Sequence, residues 1–189
     1  MERPRLSPRQ IRKAMQLSIL DGMAANMSEN MFGPFLSLFA LTLGANNTQI
    51  GLLSAIPALL GNACQLPAAI LVEKLGRRKI ISVVGGVIAR LLILTICTLP
   101  FWGLGEAKVI GIFLLLVSLR GLFGSIGSPG WTAMMGEICP PDRRGSFFGT
   151  RNILSGLTGL VGTLIAGWLI GAYGFPAGYQ YSFLGAFIT

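Results

Sequence analysis

Histidine is absent from this chain of 189 residues, and cysteine occurs only three times. Cys64, Cys97 and Cys139 lie on separate segments, without the close spacing that metal-binding cysteines share. The sequence also shows neither paired catalytic carboxylates nor a glycine-rich phosphate loop with its lysine. These absences argue against a metalloprotein and against the common enzyme classes. We therefore expect no enzymatic activity, no metal and no cofactor.

Charged residues are scarce as well, at 12% of the chain, where a soluble domain carries about 25%. Hydrophobic residues make up 52% and form runs long enough to cross a bilayer. The net charge of +8 could suggest a nucleic-acid partner, but the cations stand in short clusters between apolar runs. We therefore expect an all-α polytopic membrane protein that lies in the lipid bilayer and binds no nucleic acid.

The apolar runs predict six membrane segments after a basic lead-in at residues 1–13. The transmembrane part occupies residues 14–189, with spans at 14–43, 50–72, 80–102, 109–134, 149–171 and 179–189. The last span has only about eleven residues, where a full span needs roughly 20, so the sixth helix is truncated. Gly33-Pro34 predicts a break in the first span, and the glycine-rich stretch around Pro129 predicts a break or a kink in the fourth. Residues 136–148 read as a polar loop.

The distribution of Lys and Arg predicts the orientation of the chain. The lead-in, the loop after the second span, and the loop after the fourth span with its flank at Arg151 together hold twelve cations. The loops on the other side hold only Lys108. Because cytoplasmic loops carry the excess of Lys and Arg, the amino terminus should be cytoplasmic. The expected location is a cell or cytoplasmic membrane, which the chain crosses several times.

Four charged residues fall inside the predicted spans: Asp21, Glu29, Arg90 and Arg120. Each costs roughly 2.5–3.5 kcal/mol at the centre of a bilayer on insertion scales. The two negative and two positive charges sum to zero, so we expect these side chains to face one another or a wet cavity and not lipid. Glu29, Arg90 and Arg120 lie near the middle of their spans and could meet at one depth.

The first span carries a polar or small stripe at spacings of three and four. Its members are Ser18, Gly22, Asn26, Glu29, Gly33 and Ser37, with Asn30 at its border. Such a stripe lines either a solute or ion pathway or a buried polar network that only fixes helix packing. As candidate pathway residues we take Asp21, Asn26, Glu29, Asn30 and Arg120.

Glycines form ladders in the fourth and fifth spans. The fifth carries Ser155, Gly159, Thr163, Gly167 and Gly171 at a constant spacing of four, and the fourth carries Gly124 and Gly127 among other small residues. Small residues at such spacing let another helix approach closely. We expect Gly124, Gly127, Gly159 and Gly167 to pack helices, either within the bundle or against a partner.

The basic turn after the second predicted span contains a motif that resembles one of a known protein family. It reads Ala69-x-x-x-Glu73-Lys74-x-Gly76-Arg77-Arg78-Lys79. This resembles the signature of the major facilitator superfamily of secondary transporters, with Ala for Gly and Glu for Asp at two positions. Arg120-x-x-x-Gly124-x-x-Gly127 and the loop from Glu137 to Gly145 also resemble family motifs. The resemblance implies an amino-terminal six-helix bundle, half of a twelve-helix fold.

The resemblance also implies roles for the matched positions. In the family, the first and fourth helices line the cavity and the second and fifth form the seam with the other half. The third helix lies outside, so we expect Arg90 to turn inward against the first or fourth helix. A cytoplasmic charge cluster acts as a gating latch, which predicts the set Glu73, Lys74, Gly76, Arg77, Arg78, Glu137, Arg143 and Arg144.

The sequence therefore predicts transport of a small solute by alternating access, coupled to an ion such as a proton. The chain would supply the amino-terminal half and would need the carboxy-terminal half or a second copy of itself. The alternative is a non-transporting membrane interaction protein or a truncated remnant. A homodimer with solute flux would favour the first reading, and a monomer without flux the second.

Overall fold

The computed structural model describes residues 7–75 and 78–189, and in these residues the chain is helical throughout, with no strand. Its α-helices are α1 Pro8–Phe32, α2 Leu36–Thr42, α3 Asn47–Leu75, α4 Arg78–Thr98, α5 Glu106–Ile138, α6 Arg144–Tyr173 and α7 Ala177–Ile188. The expected all-α bundle is thereby confirmed. Short 3-10 turns at Gly33–Phe35, Leu99–Phe101 and Pro141–Arg143 separate some of these helices.

Helix α1 begins at Pro8, six residues before the predicted first span. A capping box explains the early start. The Ser7 hydroxyl accepts the backbone N–H of Gln10 at 3.3 Å, and the Gln10 side chain accepts the N–H of Ser7 at 2.8 Å. At its other end the α-helical geometry stops at Gly33–Phe35, where Gly33-Pro34 predicts a break, and resumes as α2.

Of the break or kink predicted in the fourth span, the break is wrong. Helix α5 runs without interruption from Glu106 to Ile138, through the whole glycine-rich stretch. The polar loop predicted at 136–148 is also mostly helical, since α5 ends at Ile138 and α6 begins at Arg144. Glycine and proline are tolerated in membrane helices because backbone groups inside a bilayer have no water to bond and the helix satisfies them internally.

Helices α1 and α6 pack side by side in the same direction. Residues farther along α1 meet residues farther along α6: the Ser18 carbonyl accepts from Arg151 at 3.3 Å, and the Met23 carbonyl accepts from Thr158 at 3.0 Å. Helix α5 packs between α3 and α4, and α7 packs against α1, α4 and α6. Serines fasten α7 to α1, since the Ser182 hydroxyl donates to the Met31 carbonyl at 2.6 Å.

Apolar residues cluster at both ends of the bundle. At the end that holds the α6–α7 turn, Phe39 is fully buried and its ring centroid lies 5.2 Å from that of Phe183 and 5.5 Å from that of Phe113. At the opposite end, Met135, Cys139 and Phe147 form a second buried cluster. Edge-to-face ring pairs of this kind stabilise beyond their buried area. Polar and charged side chains lie between the two clusters.

Four segments of the described chain are long and apolar enough to cross a membrane. They are Asn47–Ile70, Ile80–Phe101, Glu106–Ile126 and Pro141–Tyr173. Helix α1 carries the polar stripe with Asp21 and Glu29, which lowers its apolar content. Helix α7 has only 12 residues.

Candidate functional site

An ion pair between Glu29 of α1 and Arg120 of α5 is the centre of the candidate site. Arg120 Nη2 donates to Glu29 Oε2, and Nη1 lies 3.5 Å from Oε1, so both guanidinium nitrogens face the carboxylate. The guanidinium carbon also lies 4.6 Å from the centroid of the Phe32 ring, a cation–π distance. Of the four charged residues predicted inside spans, these two are the ones the structure brings together.

The two partners differ in their access to the surroundings. The Arg120 side chain is 16% exposed, and its Nε is buried with no hydrogen-bond partner. The Glu29 side chain is 56% exposed. A half-exposed carboxylate held by a mostly buried arginine remains open on one side to a proton, a cation or a polar group. Because a charge facing lipid at this depth would be costly, the open side is best suited to a wet cavity.

The other candidate pathway residues of α1, namely Asp21, Asn26 and Asn30, do not share this surface. Asn30 Nδ2 donates to the Asn26 backbone carbonyl at 2.8 Å, and the two side chains also bond each other. Both amides lie against α6, where a Cβ added to Gly159 would come within 2.8 Å of either. Asp21 is exposed and has no bonded partner among the described residues. The structure therefore places Asn26 and Asn30 in a helix seam, apart from the Glu29–Arg120 pair.

Arg151 of α6 has a local role that sequence reasoning missed. Its Nε donates to the Ser18 carbonyl of α1 at 3.3 Å, and its guanidinium carbon lies 4.2 Å from the ring centroid of Trp131 in α5. Gly22 provides the space, since a Cβ there would lie 2.6 Å from the guanidinium. Arg151 thus joins three helices. The signal was present, because Arg151 continues the ladder of Ser155 and Gly159 at a spacing of four.

Comparison with known proteins identifies the family of this helical membrane chain with a central ion pair. The sequence model of the Major Facilitator Superfamily matches residues 22–189. The chain belongs to the major facilitator superfamily. The predicted membership is thus confirmed, and with it an integral membrane protein that crosses the bilayer several times.

A relative in Methanocaldococcus jannaschii, named an uncharacterized MFS-type transporter, is 27% identical over 159 residues. The matched region covers 80% of this chain and 37% of that relative. The chain therefore spans well under half the length of the curated relative it matches. No solved structure matches it.

The superfamily's basic motif lies largely outside the described residues. Gly76 and Arg77 are not described, and Glu73, Lys74 and Arg78 are described only as parts of α3 and α4, without their side chains. Glu137 is exposed on the last turn of α5. The gating latch predicted from these positions stays a prediction.

The two arginines after α5 have described surroundings. Arg144 Nε donates to the Cys139 carbonyl at 3.2 Å, and its Nη2 donates to the Gly136 carbonyl. These bonds satisfy carbonyls at the carboxyl end of α5, a common position for arginine. Arg143 is exposed and lies 3.7 Å from Asp142. For Arg144, the described geometry is therefore that of a helix cap.

Some of the glycines predicted to pack helices contact a neighbouring helix in the structure, and others do not. Gly159 contacts the Asn26 and Asn30 side chains, and Gly167 lies near Phe35, 3.9 Å from a Cβ placed on it. A Cβ added to Gly124 meets no atom within 4 Å, so this glycine packs no helix of the described bundle, and its packing against a partner stays a prediction. Gly127 lies on α5, outside the residues whose side-chain surroundings are described.

Other small residues make the contact between α3 and α5. A Cβ added to Gly121 would lie 3.1 Å from the Pro57 side chain, and one added to Gly61 would lie 3.7 Å from Ser125. Gly121 directly follows Arg120, so close packing of α3 on α5 fixes the helix at the residue that carries the cation. Gly121 is one of the small residues of the fourth span, but it is not among the four glycines predicted to pack helices. In the sequence, the spacing of Pro57 and Gly61 by one helical turn places both on one face of α3, and this spacing could have indicated the contact.

Arg90 does not turn toward α1 or α5 as expected. Its Nη2 donates to the backbone carbonyl of Thr189 at 3.2 Å, which joins α4 to the end of α7. Helix α7 stands between α4 and α1 in this part of the bundle, and its carbonyl is the acceptor within reach. Arg90 therefore contacts the end of α7 and lies apart from the Glu29–Arg120 pair.

Proposed function

We propose that this chain is the amino-terminal half of a secondary transporter that moves a small solute by alternating access, coupled to a proton. The observation that carries the proposal is the Glu29–Arg120 pair, which lies between two apolar clusters with its carboxylate open on one side. Membership of the major facilitator superfamily supports the transport class. The proposed solute is small and polar or charged.

In the proposed cycle, Arg120 exchanges one partner for another. A polar or anionic group of the solute approaches from the open side and takes the place of Glu29 on the guanidinium. Glu29 then lacks its cation, and because an unpaired charge in a bilayer cavity is costly, it takes up a proton. Release of the solute reverses the exchange and returns the proton. Solute and proton therefore travel together.

The exposed faces of α3 and α6 support the need for a second half. Helix α6 presents Ile153, Leu157, Leu160 and Leu164 along one stripe, each more than half exposed. Helix α3 presents Leu59 and Leu66, which are 69% and 72% exposed. These are the second and fifth spans, where the family resemblance expects the seam with the other half. We propose a carboxy-terminal half or a second copy as the partner.

Proteoliposomes with a trapped pH-sensitive dye provide the test. The complete protein, with whatever chain follows Thr189 in its gene, is reconstituted and challenged with a panel of sugars, amino acids and organic acids. At least one solute should acidify the lumen, because solute and proton enter together. Glu29→Gln should abolish that proton flux, because a glutamine amide cannot carry the proton. Asp21→Asn is the matched control, and it should keep flux because Asp21 is exposed and lies outside the pair.

Two results would contradict the proposal. Unchanged coupled flux in the Glu29→Gln protein would remove Glu29 from the mechanism. Absence of flux for every solute, together with a monomeric protein in detergent, would instead favour the non-transporting membrane interaction protein. A dimer of the 189-residue chain with flux would show that two copies supply both halves.

A further inference from the structure

A groove at the other end of the bundle from the α6–α7 turn has no part in the proposed transport site. It lies between the first turns of α1 and α6 and encloses about 460 Å³. We call it the α1–α6 groove. One wall is formed by residues of α1, namely Arg12, Met15, Gln16 and Ile19. The other, the α6 wall, is formed by Ser146, Phe147 and Thr150 of α6 together with Arg143 of the 3-10 turn that precedes it.

The mouth of the α1–α6 groove is cationic. Arg12 stands on the α1 wall and Arg143 on the α6 wall, and no acid lines the groove. Arg12 has no acidic partner in the described part of the chain. Arg143 lies 3.7 Å from Asp142, but both side chains are more than 60% exposed, and such a pair contributes little. In the described part of the chain, neither guanidinium is therefore held by a buried acid, and both face the groove where an anion can bind.

The floor of the α1–α6 groove is apolar. Met15, Ile19 and Phe147 line it, and they pack on the buried cluster of Met135 and Cys139. Ile19 lies seven residues beyond Arg12, or about 10 Å deeper along the helix. Arg12 lies just before the predicted start of the first span at residue 14, and Ile19 lies inside that span. The groove therefore straddles the membrane boundary.

We propose that the α1–α6 groove binds one anionic phospholipid. The phosphate lies between Arg12 and Arg143, since guanidinium groups bind phosphate oxygens in pairs. One acyl chain lies along Met15, Ile19 and Phe147. A soluble phosphate would use only the cationic mouth, whereas a lipid uses the mouth and the apolar floor. Basic grooves between helices at the cytoplasmic surface are suited to such headgroups.

Native mass spectrometry of the 189-residue chain in mild detergent tests the proposal. Phosphatidylglycerol and phosphatidylcholine with identical acyl chains are added in equal amounts. One phosphatidylglycerol should stay bound in preference to phosphatidylcholine. The double variant Arg12→Gln/Arg143→Gln should lose that preference by roughly twenty-fold, because each cation near an anionic headgroup is worth roughly five-fold.

The matched control is Arg9→Gln/Lys13→Gln. It removes the same charge from exposed α1 positions that do not line the groove, and it should retain the preference. Equal loss in both double variants would show general attraction to a basic end and overturn the site. Complete displacement of the lipid by millimolar glycerol phosphate would show that the mouth alone binds and overturn the lipid as occupant. Single variants Arg12→Gln and Arg143→Gln should each show an intermediate loss.

Discussion

The Glu29–Arg120 pair holds two distant parts of the sequence together at one point. Its carboxylate is 56% exposed and its guanidinium 16% exposed, which places the pair between a surface ion pair and a buried one. Surface pairs contribute about 0–1 kcal/mol, and breaking a buried pair costs about 3–5 kcal/mol. A pair of intermediate strength is suited to a site that must open and close in each cycle.

We predict a coupling energy of about 1–2 kcal/mol between Glu29 and Arg120, between those two limits. The measurement is a double-mutant cycle with Glu29→Gln, Arg120→Gln and the double variant, unfolded by SDS in mixed micelles and followed by circular dichroism. The exposed pair Asp142–Arg143, at 3.7 Å, supplies the comparison cycle and should give a coupling near zero. Equal coupling in the two cycles would mean that the central pair is no more than a surface contact.

Sequence spacing anticipated the Glu29–Arg120 pair but not its surroundings. The four charges inside apolar runs could be identified because an unpaired charge is costly in a bilayer, and two of them do pair. Spacing shows which residues share a helix face, but not which neighbour that face meets. Asn26 and Asn30 therefore lie in a seam with α6, and Arg90 bonds α7. Arg151 was counted only as an orientation charge, and its three-helix contact was missed.

At the scale of the element, the seam between α1 and α6 depends on backbone proximity. A Cβ added to Gly162 would lie 2.8 Å from the backbone carbonyl of Met27, and the backbone cannot rotate away as a side chain can. Gly22 differs, since its Cβ would meet the flexible end of Arg151. Close approach of the two helix backbones stabilises their association through van der Waals contact, because in lipid the hydrophobic effect does not drive helices together.

Gly162→Ala should therefore destabilise the bundle by about 1–3 kcal/mol, the usual cost of overpacking a tight contact. Gly156→Ala, on the same helix, is the control because a Cβ there meets nothing within 4 Å. It should be neutral or slightly stabilising, since alanine is the better helix former. The measurement is the midpoint of SDS unfolding for each variant. A Gly162→Ala protein as stable as Gly156→Ala would show that α1 and α6 are not in close contact at this point.

The helices themselves were predictable, but several of their ends were not. Long apolar runs fix where a helix crosses the bilayer. Beyond the apolar run, capping bonds set where a helix begins and ends. Ser7 and Gln10 cap the early start of α1, and Arg144 donates to the last carbonyls of α5 within the predicted polar loop. Glycine and Pro129 suggested a break in α5 because soluble helices stop there, yet α5 continues to Ile138. In a bilayer a helix continues through such residues, because a backbone group without a hydrogen bond costs more free energy there than in water.

At the scale of the whole molecule, orientation follows from charge and helix length together. The 33 residues of α5 extend over roughly 50 Å, which exceeds a bilayer's apolar thickness and separates its two ends across the membrane. Twelve cations lie in the sequence segments assigned to the side of the amino terminus, and Lys108 alone lies in those of the other side. The excess predicts that the end near Gly145 is cytoplasmic and the end near Gly105 is not.

Cysteine labelling of intact cells measures this directly. In a chain with Cys64, Cys97 and Cys139 replaced by alanine, single cysteines are placed at Gly105 and Gly145, where a Cβ meets no atom within 4 Å. A membrane-impermeant maleimide should label Gly105→Cys at once and Gly145→Cys only after the cells are permeabilised. The reverse pattern would place the amino terminus outside and would put Arg12 and Arg143 on the opposite leaflet. Because both positions are exposed and lie near opposite ends of α5, a difference in labelling reports the side of the membrane and not local access.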